Sequence, residues 1–439
     1  MNAMRQILLF LLLTPLKFTV SGQRVDAGNG HALILDKKGN VWAIGRNNFG
    51  QLGDGTLKNS PSPKKVKNLP GIVAISRGYD HSIALDKNGN VYLWGRNNYG
   101  QLGSSSLSDQ KSPQKLLHHT NFSAVEGGYW HTVGLKKDGT VWCWGHNFFA
   151  ELGNGTKEHS AWPVEVLQRT TSNAKETISV LTDVVRIASV GYHTLALKKD
   201  GSVWAWGGNS YNELGKKREE FQRYAMQVEG IPKIKEIAVG WHHSVALDDD
   251  GNIWVWGSDP AFQFKEETKK SYDHPICLKG LPKFTKIACG SWHSLAIDEN
   301  NKVWAWGKNH FGMLGTGDTI SRSLPMLIPQ LRNIVDIGGG CFQSIAVDAT
   351  GQIFTFGDNP SGQLGIGNYS RCYSPKLMPL DMNGVMSNDF RSSQKESHSS
   401  LKKESIFNGE FLLKVLKYFV FLSSIVLNIV LFRKLRHKH

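Results

Sequence analysis

The sequence predicts an all-β protein: a seven-bladed β-propeller, followed by a polar stalk and a single C-terminal transmembrane helix. Three observations support this prediction: a motif that returns about every 50 residues, strands that are apolar on both faces, and a terminal apolar segment. The 439 residues divide accordingly into a signal peptide, the propeller, a flexible polar linker, a membrane helix and a basic cytoplasmic tail. The predicted bounds are 1–22, 23–386, 387–410, 411–432 and 433–439.

The motif has Gly-x-x-His near its start and Trp-x-Trp-Gly near its end, and its last glycine recurs at intervals of 50, 50, 62, 50, 50 and 50 residues. These glycines are Gly45, Gly95, Gly145, Gly207, Gly257, Gly307 and Gly357. The histidine keeps the same spacing until the seventh copy, which has Gln343 instead. Such a period predicts units that bury their apolar surface only by stacking on one another.

Each unit contains a two-stranded hairpin, seen in the second unit as apolar runs at residues 82–85 and 91–94 around a turn with Gly89. Strands that are apolar on both faces must be covered on both sides. Ten of the 14 tryptophans lie in the second strands of these hairpins. Short antiparallel sheets, buried on both faces at this period, predict the blades of a propeller.

A further segment, usually with a proline, follows each hairpin. These segments lie near Pro63, Pro113, Pro163, Met226, Pro275, Pro325 and Pro375. Because there are already seven, we predict that the last one, residues 374–377, closes the ring by completing the first blade. The segment before residue 23 is then not needed for the propeller.

Residues 78–85 and 91–103, with their counterparts in the other six units, resemble the regulator of chromosome condensation repeat family. The resemblance covers about residues 23–380 and implies a seven-bladed propeller. It is weakly specific for function, since a fold alone does not name an activity.

The N-terminus has Arg5, an apolar run over residues 7–13, and small residues at Ser21 and Gly22. This pattern favours a secretory signal peptide over an additional propeller strand. Near the other end, residues 388–410 are rich in Ser, Lys and Glu with balanced charges, which predicts a solvated stalk.

Residues 411–432 are apolar apart from Lys414 and Lys417 and are long enough to cross a bilayer as a helix. A membrane anchor therefore explains them better than a buried core helix. Four cations follow the segment and two lie before its uncharged part, so the positive-inside rule places the C-terminus in the cytoplasm. With a signal peptide the propeller is then extracytoplasmic; the alternative is a cytosolic propeller with a tail anchor.

The net charge is +14, but six of these cations belong to the anchor segment and its tail, and the propeller has no dense Lys/Arg run. This distribution disfavours nucleic-acid binding. We expect no catalytic site, metal or cofactor, because no nucleophile–base pair, phosphate-binding loop or metal-ligand spacing occurs. The repeated histidine is predicted to donate a structural hydrogen bond to neighbouring backbone. The five cysteines are predicted to be free thiols, with a Cys289–Cys341 bridge as the alternative.

The residues before each histidine and after each closing glycine must share one rim, because the two ends of a hairpin lie at the same edge. This rim is rich in aromatic and basic residues, the types that dominate protein interfaces. The predicted partner-binding residues are Tyr79, Tyr129, Trp130, Tyr192, Trp241, Trp292, Phe342, Arg46, Arg96 and Lys308. The alternative, that the aromatic side chains turn inward and plug the ring, is equally consistent with the residue types.

Two functions follow from these features. The first is a membrane-anchored module, with a monomeric propeller, that recognises a partner protein through this rim and contacts the bilayer through residues 411–432. The second is a guanine-nucleotide exchange factor for a small GTPase, which the family resemblance implies; the founding member uses a wedge inserted in a blade. Here the loops after the closing glycines are not expanded, and the one insert, at about residues 168–182, is predicted to be a plain loop. Recognition is therefore favoured.

Overall fold

The computed structural model describes residues 24–172, 175–217, 219–258 and 271–387. The described residues up to Val385 belong to one compact unit, which is the propeller. The predicted signal peptide, stalk, anchor and tail lie outside the described residues, except for residue 387. Within the described ranges no helix is long and apolar enough to cross a membrane.

Seven sheets form the blades, and in every blade except the fourth the strands are antiparallel and follow chain order from the axis outward. Blades one to three comprise β1 (Val25–Ala27), β2 (His31–Leu35), β3 (Val41–Gly45), β4 (Ser60–Lys65); β5 (Ile72–Arg77), β6 (His81–Asp86), β7 (Val91–Gly95), β8 (Gln110–Lys115); and β9 (Phe122–Gly127), β10 (His131–Lys136), β11 (Val141–Gly145), β12 (Ser160–Glu165). The seven-bladed, all-β prediction is confirmed.

Blade four is the largest sheet, with six strands among the described residues. Its strands are β13 (Leu167–Ser172), β14 (Lys175–Val180), β15 (Val184–Ser189), β16 (His193–Lys198), β17 (Val203–Gly208) and β18 (Phe221–Gln227). Blades five to seven comprise β19 (Ile234–Val239), β20 (His243–Asp248), β21 (Ile253–Ser258), β22 (Ser271–Cys277); β23 (Phe284–Cys289), β24 (His293–Asp298), β25 (Val303–Gly307), β26 (Arg322–Leu327); and β27 (Ile334–Gly339), β28 (Gln343–Asp348), β29 (Ile353–Gly357), β30 (Cys372–Leu377).

The ring closes differently from the sequence prediction. β30 pairs with β29 of its own blade, not with the first blade, whose inner strand is β1. β1 contacts β27, and the Arg24 amide donates to the Asp336 carboxylate of blade seven at 3.2 Å. The prediction that residues 374–377 complete blade one is therefore wrong. The free edge of β29 pairs with β30, the next strand along the chain, so every blade is built from strands that are consecutive in the sequence.

The insert of blade four is also not a plain loop. β13 and β14 form an antiparallel hairpin, and β13 joins the outer edge of the sheet through a parallel bridge between Gln168 and Ala225. Hydrogen bonding to an available sheet edge gives this segment strand structure that its residue types alone did not indicate.

Buried indoles join neighbouring blades. The largest fully buried side chains include Trp94, Trp144, Trp206, Trp256 and Trp306. Trp256 of blade five packs among Leu195, Val228 and Ile237, and its indole N–H donates to the Glu213 carbonyl at 2.7 Å. Each such indole therefore supplies both apolar contact and a hydrogen bond, or apolar contact alone, at a blade boundary.

The repeated histidines also join blades, but their partner is a hydroxyl group, not the backbone that the sequence suggested. His193 Nε2 lies 2.9 Å from Ser244 Oγ, and that hydroxyl donates to the Glu213 carbonyl at 2.8 Å. The same contact occurs at His31, His81, His131, His243 and His293. In the last blade Gln343 instead donates to the carbonyls of Gly28 and His31. The histidines are structural, as predicted, because each is buried at a boundary between two blades.

Candidate functional site

The rim lies at the open end of each hairpin, where the first strand begins and the second strand ends. The amide of Arg46 donates to the Gly30 carbonyl at 2.7 Å, that of Arg96 to Asp80 at 3.0 Å, and that of Lys308 to Trp292 at 2.9 Å. Each bond joins a loop that follows a closing glycine to the residue before the histidine position. The predicted rim residues are therefore side by side in space, as the hairpin geometry required.

Six of the predicted aromatic side chains, from blades two to six, form one cluster around the propeller axis. Ring centroids are 4.1 Å apart for Tyr79–Tyr129, 5.0 Å for Tyr129–Tyr192 and 5.5 Å for Tyr129–Trp241. Trp292 packs on Trp241 at 5.2 Å and Trp130 on Tyr129 at 4.5 Å. We call Tyr79, Tyr129, Trp130, Tyr192, Trp241 and Trp292 the aromatic cluster. All six side chains are half-buried, so they cover this end of the channel and still present surface to solvent.

The basic residues of the rim are held by neighbours. Asp80 is buried and lies 3.5 Å from Arg46 and 3.3 Å from Arg96. Burial raises the pKa of Asp80, although the two guanidinium groups oppose this shift. Lys308 Nζ lies 3.9 Å from the centroid of the Trp292 ring, and burial lowers its pKa. The rim therefore combines cations with aromatic faces, and one carboxyl group fixes two of those cations.

Phe342 stands apart from the aromatic cluster. Its ring contacts Phe311 at 5.3 Å, and the Arg371 guanidinium lies 4.7 Å above the Phe311 ring. Arg371 is also bonded to the Asp358 carboxylate at 2.6 Å. The structure thus divides the predicted site into a large cluster and a smaller patch on blades six and seven.

Two exposed rim aromatics were not selected from the sequence. Phe148 is 57% exposed and Tyr211 is 46% exposed, and both lie in loops that follow a closing glycine. A signal for this surface was present, because the fourth residue after that glycine is aromatic in five units. These residues are Phe49, Tyr99, Phe149, Tyr211 and Phe311.

Two histidine–glutamate pairs flank the aromatic cluster. His146 Nδ1 lies 2.8 Å from Glu151 Oε1, and His242 Nδ1 lies 3.0 Å from Glu213 Oε1. The other carboxylate oxygen of Glu151 accepts the Phe149 amide at 2.9 Å. These buried carboxylates therefore position both a loop and a histidine, which is an orienting role.

On the opposite side, a cavity of about 770 Å³ that is open to solvent lies along the axis. Its lining residues include Glu126, Arg186, Glu236 and Lys286. Burial and the nearby Asp26 raise the pKa of Glu126 to about 8. No group of three potential metal ligands occurs among the described residues. All five cysteines are free, and Cys341 Sγ accepts a hydrogen bond from Ser291 at 3.1 Å.

Comparison with known families agrees with this architecture. The RCC1-like domain matches residues 106–404. The regulator of chromosome condensation (RCC1) repeat matches residues 38–85 and, in a second form, residues 23–51 and 72–101. No curated protein matches the chain.

Solved structures include several with this fold. Human WBSCR16 is 21% identical, with a TM-score of 0.67 over 78% of this chain and 94% of that chain. Prp20p from Saccharomyces cerevisiae is 26% identical, with a TM-score of 0.61 over 72% and 80%. Yeast RCC1 (Prp20), solved with Kap60, is 22% identical, with a TM-score of 0.68 over 78% and 84%. Since the family match also spans more than half of the sequence, the chain belongs to the RCC1-like domain family.

Proposed function

We propose that this propeller is a protein-recognition module that binds a partner protein through the aromatic cluster and the rim around it. The observation that supports this most is the convergence of six half-buried aromatic side chains from five blades on one face. Tyrosine, tryptophan and arginine are the residues that most often dominate binding energy at interfaces. The role is binding and not catalysis.

The chemistry of the rim favours a protein over a nucleic acid as the partner. Arg46 and Arg96 are already engaged by Asp80, so they offer less free positive charge to a phosphate backbone. Prp20p was studied for its binding to Gsp1p and histones, and the yeast protein was also solved bound to Kap60. Because this structural relative binds proteins, we expect the partner of this chain to be a protein as well.

The proposal can be tested by photo-crosslinking from the full chain in its native cells. A photoreactive phenylalanine analogue replaces Phe148 or Tyr211, which are exposed on the rim, or Leu117, which is 57% exposed near the opposite side. We expect one protein to be crosslinked from both rim positions and not from Leu117. Equal crosslinking from Leu117, or none from either rim position, would contradict rim recognition.

We further propose that residues 411–432 anchor the propeller and that an N-terminal signal peptide places it outside the cytoplasm. The length and apolar composition of the C-terminal segment support the anchor. Deleting residues 411–439 should move the protein from the membrane fraction to the soluble or secreted fraction. Protease added outside sealed cells should digest the propeller of the intact protein; full protection would instead support a cytosolic propeller with a tail anchor.

A second candidate is a guanine-nucleotide exchange factor. Two observations favour it: the 26% identity with Prp20p, and the hairpin in blade four where a plain loop was expected. The test is release of a fluorescent guanine nucleotide from a small GTPase in the presence of the propeller. Acceleration that is lost when residues 168–179 are replaced by a short Gly-Ser linker would favour exchange over simple recognition.

A further inference from the structure

The outer strands of six blades have a proline at one equivalent position. These residues are Pro63, Pro113, Pro163, Pro275, Pro325 and Pro375. Proline has no amide hydrogen, so it prevents another strand from pairing at an exposed sheet edge. In blade four the pairing of Ala205 with Met226 places Ala225 at this position. Blade four therefore lacks the protection that the other six blades share.

The sheet of blade four continues outward at Ala225, the position that lacks the proline. The Val228 amide donates inward to the Val203 carbonyl at 2.8 Å, so the alternation of a strand turns the backbone groups of Ala225 outward. β13 pairs with this residue through Gln168. The open edge of blade four is consequently moved outward from β18 to β14.

β14 presents unpaired backbone groups along its outer side. The Leu181 amide donates to the Val166 carbonyl at 2.9 Å, so these two residues form a hydrogen-bonded pair. From there, every second pair of the hairpin is hydrogen-bonded, including Gln168 with Ser179 and Thr170 with Thr177. By the antiparallel alternation, the N–H and C=O groups of Glu176, Ile178 and Val180 point away from β13. β14 contains no proline, is exposed from Lys175 to Ser179, and has no further strand beside it among the described residues.

We propose that β14 is a docking edge for an extended segment of a partner protein, which adds to blade four as a further strand. An extended chain supplies donors and acceptors at the spacing that Glu176, Ile178 and Val180 require. The face beside it offers selectivity, because Ile178 is 50% exposed and lies opposite Arg169, whose guanidinium is 5.0 Å from the Tyr224 ring centroid.

A second copy of this chain fits the edge less well than a segment does. β14 has six residues, and pairing over one such strand buries much less than the roughly 1,200–2,000 Å² of a stable interface between two folded proteins. A flexible segment needs only the strand itself and brings no second propeller against blade four. This site lies on the perimeter of the ring and is independent of the rim proposed above.

The test uses the full chain and peptides selected on it from a random library of roughly 12-residue extended peptides. Ile178→Pro removes one outward N–H but leaves the bonds between β13 and β14 in place. Ile178→Thr is the matched control, since it changes the side chain and keeps the N–H. We expect Ile178→Pro to weaken peptide binding about tenfold, as loss of one hydrogen bond does, and Ile178→Thr to change it about threefold or less.

Hydrogen exchange gives the second measurement. Bound peptide should slow exchange at the amides of Glu176, Ile178 and Val180, while the amides that face β13 are already protected without peptide. If Ile178→Pro alters the melting temperature, Val180→Pro replaces it. The proposal is overturned if no peptide is selected, if the proline variants bind as the wild type does, or if the three amides remain unprotected. Protection that rises with protein concentration alone, together with a dimer in sedimentation, would assign the edge to a second copy.

Discussion

Two tryptophans of blade five separate core packing from a binding surface. Trp256 is fully buried at a blade boundary, whereas Trp241 is half-buried in the aromatic cluster. An indole buries about 200 Å² in a core, which at about 25 cal/mol per Å² stabilises the fold by about 5 kcal/mol. Trp256→Ala also loses the bond to Glu213, worth about 1 kcal/mol.

Trp241→Ala should cost less folding free energy, roughly 4 kcal/mol against roughly 6 kcal/mol for Trp256→Ala, because part of the Trp241 side chain is already in water. Its indole N–H has no acceptor among the described residues, so no hydrogen bond is lost. Denaturant unfolding of both variants and the wild type measures the difference. If Trp241→Ala destabilises the propeller as much as Trp256→Ala, the aromatic cluster is core and the proposed binding surface is wrong.

Two further predictions concern acid stability and ring closure. Burial lowers the pKa of His243 from its ordinary 6.5 to about 3. It also lowers the pKa of His31, His81, His131 and His293 to about 3 or 4, and that of His193 to well below 6.5. Below pH 6.5 the unfolded chain therefore binds protons that the folded chain does not, and the unfolding free energy should fall as the pH drops towards 4. His243→Gln, which copies the residue of blade seven, should reduce this slope by about 1.4 kcal/mol per pH unit; an unchanged slope in denaturant titrations would contradict the prediction. For closure, residues 23–386 should fold as a monomer, and a chain ending at Asn368 should melt at a lower temperature because it lacks β30. A chain starting at Gly28 lacks β1 and should also melt lower, whereas closure by residues 374–377 would leave it unaffected.

The number of blades and their main contacts could be predicted from the sequence because they depend on local patterns. An apolar run on both sides of a turn at Gly89 specifies a hairpin that needs cover on both faces, whatever lies next to it. Seven copies then specify seven blades. The burial of Trp144 and Trp206 follows in the same way, since each lies in the second strand of its hairpin.

The candidate site was only partly predictable. Hairpin geometry places Arg96 beside Asp80 on one rim, and the structure has that arrangement. Whether Tyr79 and Trp241 point outward or toward the axis depends on side chains from other blades, which no single unit specifies. The structure gives both outcomes at once, since these rings pack against one another and still present part of their surface to solvent.

The sequence by itself determined the repeat, the hairpins, the seven blades and the buried indoles, because each arises from residues close together in the chain. Only the tertiary structure decided which strand pairs with each free sheet edge. β30 pairs with β29 in blade seven, β1 is the inner strand of blade one, and β13 pairs with the outer strand of blade four at Ala225. The physical reason is that a strand edge offers the same donors and acceptors to any extended segment. The choice among segments therefore depends on the geometry of the closed ring, and on the outer edges also on the prolines that six blades have and blade four lacks.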